Sequence, residues 1–357
     1  MLHTEVAVIG GGPAGMSAAI AAAKQGARVV LFERGLKLGG QLVKQTHRFF
    51  GSEHEYAGTR GIDIAVILQE MIEKNKLIEV KTDTTVLGIY QDGVITYEER
   101  YEYGRMTAEK VIITTGAAEK MLLFPNNDLP GVYGAGAVQT FMNQFGVKPG
   151  DKVLMVGAGN IGLIVSYQLV QAGVKIEAII DAAPKVGGYL VHAAKLQRLG
   201  VPILTQTTIK EALGEEFITG AVIHEIDSNF APIKGTERNV DIDTICLAVG
   251  LTPLSELLRH IGCELKHVPI LGGYVPIKDQ YMETSAKGIY VAGDVACIEE
   301  ASAAMIEGSI AGVSAAMALG YVRDGEEARK HYIQELQGMR SGSVGEKIRQ
   351  GLDQLCG

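Results

Sequence analysis

The stretches EVAVIGGGPAG (residues 5–15) and KVLMVGAGNIG (residues 152–162) decide the fold, because each places glycines between a buried strand and a helix. The spacing is G-x-G-x-x-G in both, formed by Gly10, Gly12 and Gly15 and again by Gly157, Gly159 and Gly162. The first glycine of this pattern permits a tight turn, the second lets a pyrophosphate approach the backbone, and the third lets helix pack on strand. Each stretch predicts the phosphate-binding turn of a dinucleotide-binding domain.

Each glycine turn is followed by a helix, a second strand and an acid. The strand ARVVLFE ends at Glu33 and VKIEAIID ends at Asp181. Each acid lies about 20 residues beyond the first glycine of its motif, which is the sequence separation at which a carboxylate binds the ribose hydroxyls of a dinucleotide. A Gly-Gly pair then follows each acid at the same offset, in LGGQL and in VGGYL. The repetition indicates two dinucleotide sites, or descent from a duplication that once had two.

Short strand-like segments with turn signals complete each half: TTVLGIY, VITYEERY and KVIITTG in the first, and TTIKEAL, FITGAVIHEI and TICLAVG in the second. Beyond them, KGIYVAGDV (residues 287–295) predicts another buried strand ending at Asp294, with an apolar helix after it. The predicted fold class is α/β, with two Rossmann-like three-layer domains that each contain a β-meander.

Composition excludes several function classes. The formal charge of −8 argues against nucleic acid as a partner, because phosphate binding needs a basic face. The four cysteines are scattered without a C-x-x-C pair, which removes support for zinc sites and disulfide frameworks, so we predict no metal. No apolar run reaches the length of a membrane span. We expect a cytoplasmic protein.

The combination of both fingerprints with GGQL, TTG (114–116), GLTP (250–253) and AGDV (292–295) resembles the two-dinucleotide flavoprotein oxidoreductases. The resemblance implies FAD at the first fingerprint and NAD(P)H at the second. It assigns to FAD Gly10, Gly12, Pro13, Ala14, Gly15, Glu33, Arg34, Gly40, Gln41, Val86, Thr115, Gly116, Asp294, Ala301, Ser302 and Ala303. It assigns to the nicotinamide nucleotide Gly157, Gly159, Asn160, Ile161, Asp181 and Gly250.

The same resemblance implies that one domain is inserted in the other. The FAD domain would comprise residues 1–118 and 252–330, the NAD domain residues 119–251, and a helical tail residues 331–357. The tail would cover the FAD domain or dock a partner. We expect NAD rather than NADP, because Asp181 would repel a 2′-phosphate and is followed by Ala182, Ala183 and Pro184 without an arginine. Another adenine nucleotide could occupy either site without violating these residues.

The electron acceptor is a separate question. GGQL resembles thioredoxin reductases, but the dithiols of that family and of glutathione-reductase relatives are absent, and Cys297 is expected to be a small buried residue. VKQTHRFFGSEHEYAGTRG and GGYLVHAAKLQRLGVPI are more similar to the α subunits of L-proline or hydroxyproline dehydrogenase, opine oxidase, hydrogen-cyanide synthase and sarcosine oxidase. The likeness implies a partner flavoprotein dehydrogenase subunit. Any iron–sulfur cluster would lie on another polypeptide.

Three functions stay open on the sequence. The first is an electron-transfer subunit that moves hydride between FAD and NAD, with Lys44 near the flavin ring and His47 and His54 as proton relays. The second is a stand-alone NADH-dependent reductase of a quinone or dye. The third is a nucleotide-bound scaffold subunit without catalysis.

Overall fold

The computed structural model describes residues 2–50, 56–342 and 345–356, and the chain divides into two compact units. The first unit combines Met1–Ala118 with Leu251–Gly357, and the second is Glu119–Gly250. The second crossing between them comes one residue before the position that the sequence suggests. The C-terminal residues belong to the first unit rather than forming a segment of their own.

The elements are numbered in chain order. The first part of the first unit contains β1 (Leu2–Ile9), α1 (Pro13–Gln25), β2 (Val29–Phe32), α2 (Gly61–Glu73), β3 (Ile78–Lys81), β4 (Thr84–Ile89), β5 (Val94–Glu99) and β6 (Glu102–Ile113), and leads into β7 (Ala117–Glu119). The second unit contains β8 (Val132–Gly134), α3 (Ala135–Phe145), β9 (Lys152–Val156), α4 (Asn160–Gln171), β10 (Lys175–Asp181), α5 (Leu190–Arg198), β11 (Ile203–Thr205), β12 (Thr207–Leu213), β13 (Gly220–Glu225), β14 (Arg238–Val240) and β15 (Thr244–Leu247). The chain returns through β16 (Leu251–Pro253), α6 (Glu256–His260), β17 (Leu265–Val268), β18 (Gly273–Pro276), β19 (Ile289–Val291), α7 (Ala301–Met317), α8 (Gly325–Met339) and α9 (Glu346–Cys356).

The first unit is built on a parallel sheet in the order β3-β2-β1-β6, with β19 pairing in parallel on the far side of β6. The N-terminal half of β6 also pairs antiparallel with β5, and β5 with β4, which forms the predicted meander. Side chains of β1 alternate between the two faces: Val6 and Val8 pack with the helices, while Ala7 and Ile9 pack toward the meander side. The unit therefore has three layers: the helices, the parallel sheet and the meander.

The second unit repeats this plan on a smaller scale. Its parallel sheet has the order β11-β10-β9-β15-β8, and a separate antiparallel meander has the order β12-β13-β14. Val153 and Met155 of β9 pack against helices, whereas Leu154 and Val156 pack against the meander. The α/β fold class and its two meanders are therefore confirmed.

Helices α1 and α7 of the first unit lie in backbone contact. A Cβ added at Gly308 would come 2.1 Å from the carbonyl oxygen of Ala14, and one at Gly312 would come 2.2 Å from that of Ala18. The small residues of α1 and α7 permit this approach, and both helices are buried over nearly their whole surface. The contact places the N-terminal end of α7 beside the first glycine turn.

Two details differ from the sequence expectation. The strand predicted to end at Asp294 ends at Val291, and the chain tightens into a single 3-10 turn, Gly293–Val295. The tail is helical as expected, but its first helix begins at Gly325, six residues before the boundary at residue 331 that the sequence suggests; Gly325 is buried against Met317 and lets the helix start close to α7.

Candidate nucleotide-binding sites

The outer glycines of the first turn are required by the fold itself. Gly10 has φ +108°, and a Cβ there would meet the Thr114 carbonyl oxygen at 2.4 Å. A Cβ on Gly15 would lie 1.8 Å from the carbonyl oxygen of Gly10. The Thr114 hydroxyl donates to the carbonyls of Ile9 and Gly10, both at 2.9 Å, and so fastens β6 to the turn.

The fold itself does not require a glycine at the middle position of the first turn. Gly12 has φ −77° and ψ −173°, a conformation open to any residue, and a Cβ there would meet only the Gly40 Cα at 3.9 Å. Gly12 is also the N-cap of α1, with Pro13 in the first turn, so the unpaired N–H groups of Ala14 and Gly15 lie at this end. The open space at a helix N-terminus fits a pyrophosphate.

The loop with Gly39 and Gly40 closes one side of this cradle. The Gly39 N–H donates to the Gly11 carbonyl at 2.8 Å, and a Cβ on Gly40 would lie 2.8 Å from the Cα of Gly12. Gln41, the next residue along, is exposed. The loop approaches the turn so closely that only glycine fits at position 40.

Glu33 ends the second strand beside the turn. Its carboxylate accepts from the Gly11 N–H at 2.8 Å and from the Gly35 N–H at 2.6 Å. Arg34, assigned to FAD by the sequence, is exposed. A carboxylate fixed in this way keeps free lone pairs that can accept from a ligand's hydroxyls.

The second turn reproduces each of these features. Gly157 has φ +112° and a Cβ there would meet the Ala248 carbonyl oxygen at 2.3 Å, while a Cβ on Gly162 would lie 2.0 Å from the Gly157 carbonyl oxygen. Gly159 has φ −74° and ψ 178°, and an added Cβ would meet nothing within 4 Å. Asp181 accepts from the Ala158 N–H at 2.6 Å and from the Ala183 N–H at 2.8 Å.

The Gly-Gly pair that follows each acid contacts the glycine turn in both units, but the contacting glycine differs by one position between the two pairs. Gly188, and not Gly187, donates its N–H to the second turn, at 2.9 Å from the Ala158 carbonyl, as Gly39 does in the first. Asn160, at the start of α4, accepts from the Tyr189 N–H at 2.8 Å and holds this loop in place. Ile161, by contrast, leaves 42% of its surface exposed at the mouth of the turn.

The remaining residues that the sequence assigns to the two nucleotides lie on strands or just beyond their ends. The Thr115 hydroxyl donates to the Leu254 carbonyl at 2.9 Å, and Gly116 has φ +75° with open space where a side chain would stand. Gly250, with φ +119°, holds the matching place in the second unit. Val86 is half-buried in β4 opposite Tyr97.

A third carboxylate belongs to the first site alone. Asp294 lies on what we call the Asp294 loop, residues 293–299, and a Cβ on Gly293 would come 3.0 Å from that of Ala14 in the first turn of α1. Burial, assisted by the charges of Glu307 and Glu299, raises the pKa of Asp294 to about 6. Asp294 Oδ1 accepts a long hydrogen bond, 3.4 Å, from the Glu299 N–H. A partly buried carboxylate placed beside the turn is suited to accepting ligand hydroxyls.

Helix α7, the apolar helix expected after Asp294, begins at Ala301, with Ser302 and Ala303 buried in its first turn. Lys44 ends the 3-10 helix Gly40–Lys44 and is buried, with 9% of its surface exposed. The ring of His47 stacks on Phe49 with centroids 5.8 Å apart. His54 lies outside the described residues.

The cysteines do not form a redox pair among the side chains that the structure describes. Cys246, Cys263 and Cys297 are free and buried, and burial raises the pKa of each thiol. A nucleophilic thiolate is therefore disfavoured at all three. The interpretation of Cys297 as a small buried residue is confirmed.

Sequence reasoning missed the charged residues that support the Asp294 loop. Glu307 of α7 accepts the Gly293 N–H at 3.0 Å and pairs with Lys278 at 3.4 Å and Arg340 at 2.8 Å. One signal for them exists in the sequence, because Glu307 is a lone acid within an otherwise apolar helix and such a charge must find a partner.

Two glycine cradles, each with an acid at the end of its second strand, define a two-dinucleotide fold. The sequence profile described as "Pyridine nucleotide-disulphide oxidoreductase" matches residues 4–320. The chain belongs to this family, which makes it an oxidoreductase of the type that uses FAD and NAD(P). Among the described residues, no helix is long and apolar enough to cross a membrane.

Relatives with curated descriptions are components of larger enzymes. The chain is 28% identical over 322 residues to the alpha subunit of sarcosine oxidase from Rhizobium meliloti, covering 86% of this chain and 30% of that one. It is 28% identical to one subunit of the opine oxidase of Agrobacterium tumefaciens, covering 87% and 65%, and 26% identical to the HcnB subunit of hydrogen cyanide synthase from Pseudomonas protegens, covering 88% and 70%. The chain thus spans about a third of the first relative and two thirds of the second.

Solved structures share the fold. Thioredoxin reductase of T. acidophilum superimposes with a TM-score of 0.74 at 22% identity, over 89% of this chain and 99% of that one. L-proline dehydrogenase of P. horikoshii superimposes with a TM-score of 0.69 at 24% identity, over 93% of this chain and 59% of that one.

Proposed function

We propose that this chain is an FAD-dependent NAD(H) oxidoreductase, the electron-transfer subunit of a multi-subunit amine or amino-acid dehydrogenase, which exchanges hydride between FAD and NAD. The observation that carries the proposal is the pair of open positions at Gly12 and Gly159. Both residues have backbone angles that alanine adopts, and neither has a neighbour that a methyl group would displace. A ligand, rather than the fold, accounts for the open space at these two glycines.

FAD is assigned to the first unit. The N-terminal N–H groups of α1 would hold its pyrophosphate, Glu33 its ribose hydroxyls, and Asp294 the hydroxyls of its ribityl chain. When bound, FAD supplies a ring system that accepts and returns a hydride. The positive end of α7, which begins at Ala301, would stabilise negative charge on that ring.

NAD is assigned to the second unit, with its pyrophosphate at the N-terminus of α4 and its adenosine ribose at Asp181. The carboxylate of Asp181 would accept from both ribose hydroxyls and would repel a 2′-phosphate. Positions 182 to 184 carry no cation, and Lys185 is exposed. NAD is therefore preferred over NADP.

Lys44 and His47 are proposed as the groups that assist the flavin. Both follow the Gly39-Gly40 loop that closes the first cradle, and Lys44 would stabilise the reduced ring by its charge. His47 would carry a proton near neutral pH.

The electrons are proposed to pass to or from a partner subunit. Two features support this step: the curated relatives are named as subunits, and the described cysteines are buried thiols unsuited to disulfide exchange. The partner would be a second flavoprotein subunit that oxidises the amine, and an iron–sulfur subunit is a further candidate partner.

The purified chain tests the proposal by its cofactor content and its reaction with NADH. We expect a yellow protein with one FAD, whose absorbance near 450 nm is bleached by NADH without air. Retention of FAD without bleaching would favour the scaffold alternative. Rapid turnover with a quinone, in a chain that never copurifies with a partner, would favour the stand-alone reductase.

A further inference from the structure

The C-terminal segment of the first unit contacts the Asp294 loop through Arg340. This residue follows the last turn of α8 and donates from Nε to both oxygens of Glu299, at 3.2 and 3.1 Å. Its Nη2 donates to Glu299 at 2.6 Å and to Glu307 at 2.8 Å. The guanidinium therefore joins two carboxylates, one on the loop and one on α7.

Glu307 transmits this contact to the backbone of the loop. Its carboxylate is almost wholly buried, with 2% of the side chain exposed, and its Oε2 accepts the Gly293 N–H at 3.0 Å. Burial alone would raise the pKa of Glu307, but the charges of Lys278 and Arg340 outweigh it and hold the pKa below its usual value. Glu307 stays ionised and fixes the residue that precedes Asp294.

Helix α9 makes a second contact with the same loop. Its Ile348, Leu352 and Leu355 pack against the cluster formed by Val268, Leu271, Val275 and Cys297. The Ile298 N–H also donates to the Leu271 carbonyl at 3.1 Å, which ties the loop to that cluster. One segment of chain thus contacts the loop by an ion pair and by an apolar face.

A metal ion is a poor alternative explanation for the cluster. Cys297, Glu299 and Glu307 present ligand atoms within 4.8 Å of one another. Both carboxylates are already paired with Arg340, and Glu307 also with Lys278, so their charge is compensated by the chain itself. A divalent cation would have to displace a buried guanidinium.

We propose that α8 and α9 form a clasp whose docking is coupled to flavin binding, with Arg340 and Glu307 as positioning residues for Asp294. The proposal rests on the assignment of FAD to the first unit. In the docked state Arg340 pairs with the partly buried Glu299 and with the buried Glu307, and Lys278 also pairs with Glu307. The charges of both carboxylates act on the partly buried Asp294. Undocking removes Arg340, so Glu299 on the loop loses its guanidinium partner, and Glu307, which holds the Gly293 N–H, is left with Lys278 alone.

Coupling must work in both directions, since an effect of the clasp on FAD affinity implies an equal effect of FAD on the clasp. The direct test is amide hydrogen exchange of the wild-type chain with and without saturating FAD. We expect FAD to slow exchange in residues 336–342 and 346–356 by about tenfold. Equal exchange rates in these residues with and without FAD would overturn the proposal.

Variants provide the reciprocal measurement. We expect R340A and E307Q to raise the dissociation constant of FAD about tenfold. R340K should recover part of the lost affinity, because lysine keeps the positive charge but lacks the paired N–H donors of the guanidinium. R323A, an exposed arginine just before α8, is the matched control and should bind FAD as the wild type does. Thermal unfolding of each apo variant shows whether it is folded.

The outcomes separate the clasp from the flavin assignment. Wild-type protein that fails to bind FAD would overturn both. If the wild type binds FAD and the dissociation constants of R340A and R340K lie within about twofold of the wild-type value, the clasp alone is overturned, since typical couplings are larger. Should R340A fail to fold, R340K and the exchange measurement on the wild type still decide.

Discussion

The two glycine turns share one backbone plan but differ in what covers the helix behind them. In the first unit, α7 packs so closely on α1 that Gly308 and Gly312 admit no side chain, and the Asp294 loop adds a partly buried carboxylate. In the second unit, α4 contacts α3 and α5 by ordinary side chains and leaves Ile161 exposed at its start.

This difference indicates two modes of binding. The first turn has a glycine cradle, the carboxylate of Glu33 and the partly buried carboxylate of Asp294 on a supported loop. The second turn has a glycine cradle and one carboxylate, that of Asp181. We therefore expect the first nucleotide to remain bound through purification and the second to exchange with solvent, as a cofactor and a substrate would.

The largest expected effect concerns the third glycine of each turn, where the two units should behave alike. A Cβ at Gly15 or Gly162 would lie within 2.0 Å of a backbone carbonyl oxygen. We expect G15A and G162A each to lower the free energy of unfolding by about 3 kcal/mol, measured by urea denaturation. G338A, where a Cβ meets nothing within 4 Å, is the control. Loss of less than about 0.5 kcal/mol in either variant would contradict the packing role.

The second prediction concerns Asp294, the carboxylate that distinguishes the first unit from the second. Its pKa of about 6 is higher than that of an unfolded aspartate, so the folded chain binds more protons and its stability falls as pH rises from about 4 to about 6. We expect D294N to stabilise the apo chain at pH 8 by on the order of 2 kcal/mol, and this gain should shrink toward pH 4. The same substitution should weaken FAD binding. D353N, on the exposed side of α9, should change neither. A D294N chain that is less stable than wild type at pH 8 would count against the buried charge.

Much of this comparison could be predicted from the sequence, because glycine spacing, strand-terminal acids and alternating strands are local patterns. The end of β19 and the short strands β3, β11 and β14 could not, since three or four residues carry little periodic signal. The network of Lys278, Glu307 and Arg340 was also out of reach. Its members are distant in sequence, and although Glu307 stands out as a lone acid in an apolar helix, nothing local to it names Lys278 and Arg340 as its partners.

The third prediction concerns the open middle glycines. G12A and G159A should fold as stably as wild type, because the backbone angles suit alanine and the space is free. We expect each to weaken one ligand about tenfold, FAD for G12A and NADH for G159A, since the methyl group would stand where the pyrophosphate lies. Affinities that stay unchanged for both ligands, measured by fluorescence titration, would show that the cradles do not hold phosphate.

The smallest effect is expected on the choice between NADH and NADPH. D181A combined with A182R removes the repulsion of a 2′-phosphate and supplies a guanidinium for it. We expect the ratio of kcat/KM for NADH over NADPH to fall about fivefold or more. D181A alone should give a smaller change, and a wild-type chain that already prefers NADPH would refute the assignment of Asp181.

The most direct test of the proposed role within a multi-subunit enzyme is a pair of dye-linked assays on the purified single chain. The proposal assigns a flavin site to the first unit and no amino-acid site to this chain, so amine oxidation should need the partner. We predict reduction of the dye with NADH and none with proline or a related amino acid. Robust amino-acid–dye turnover by this chain alone would contradict the account.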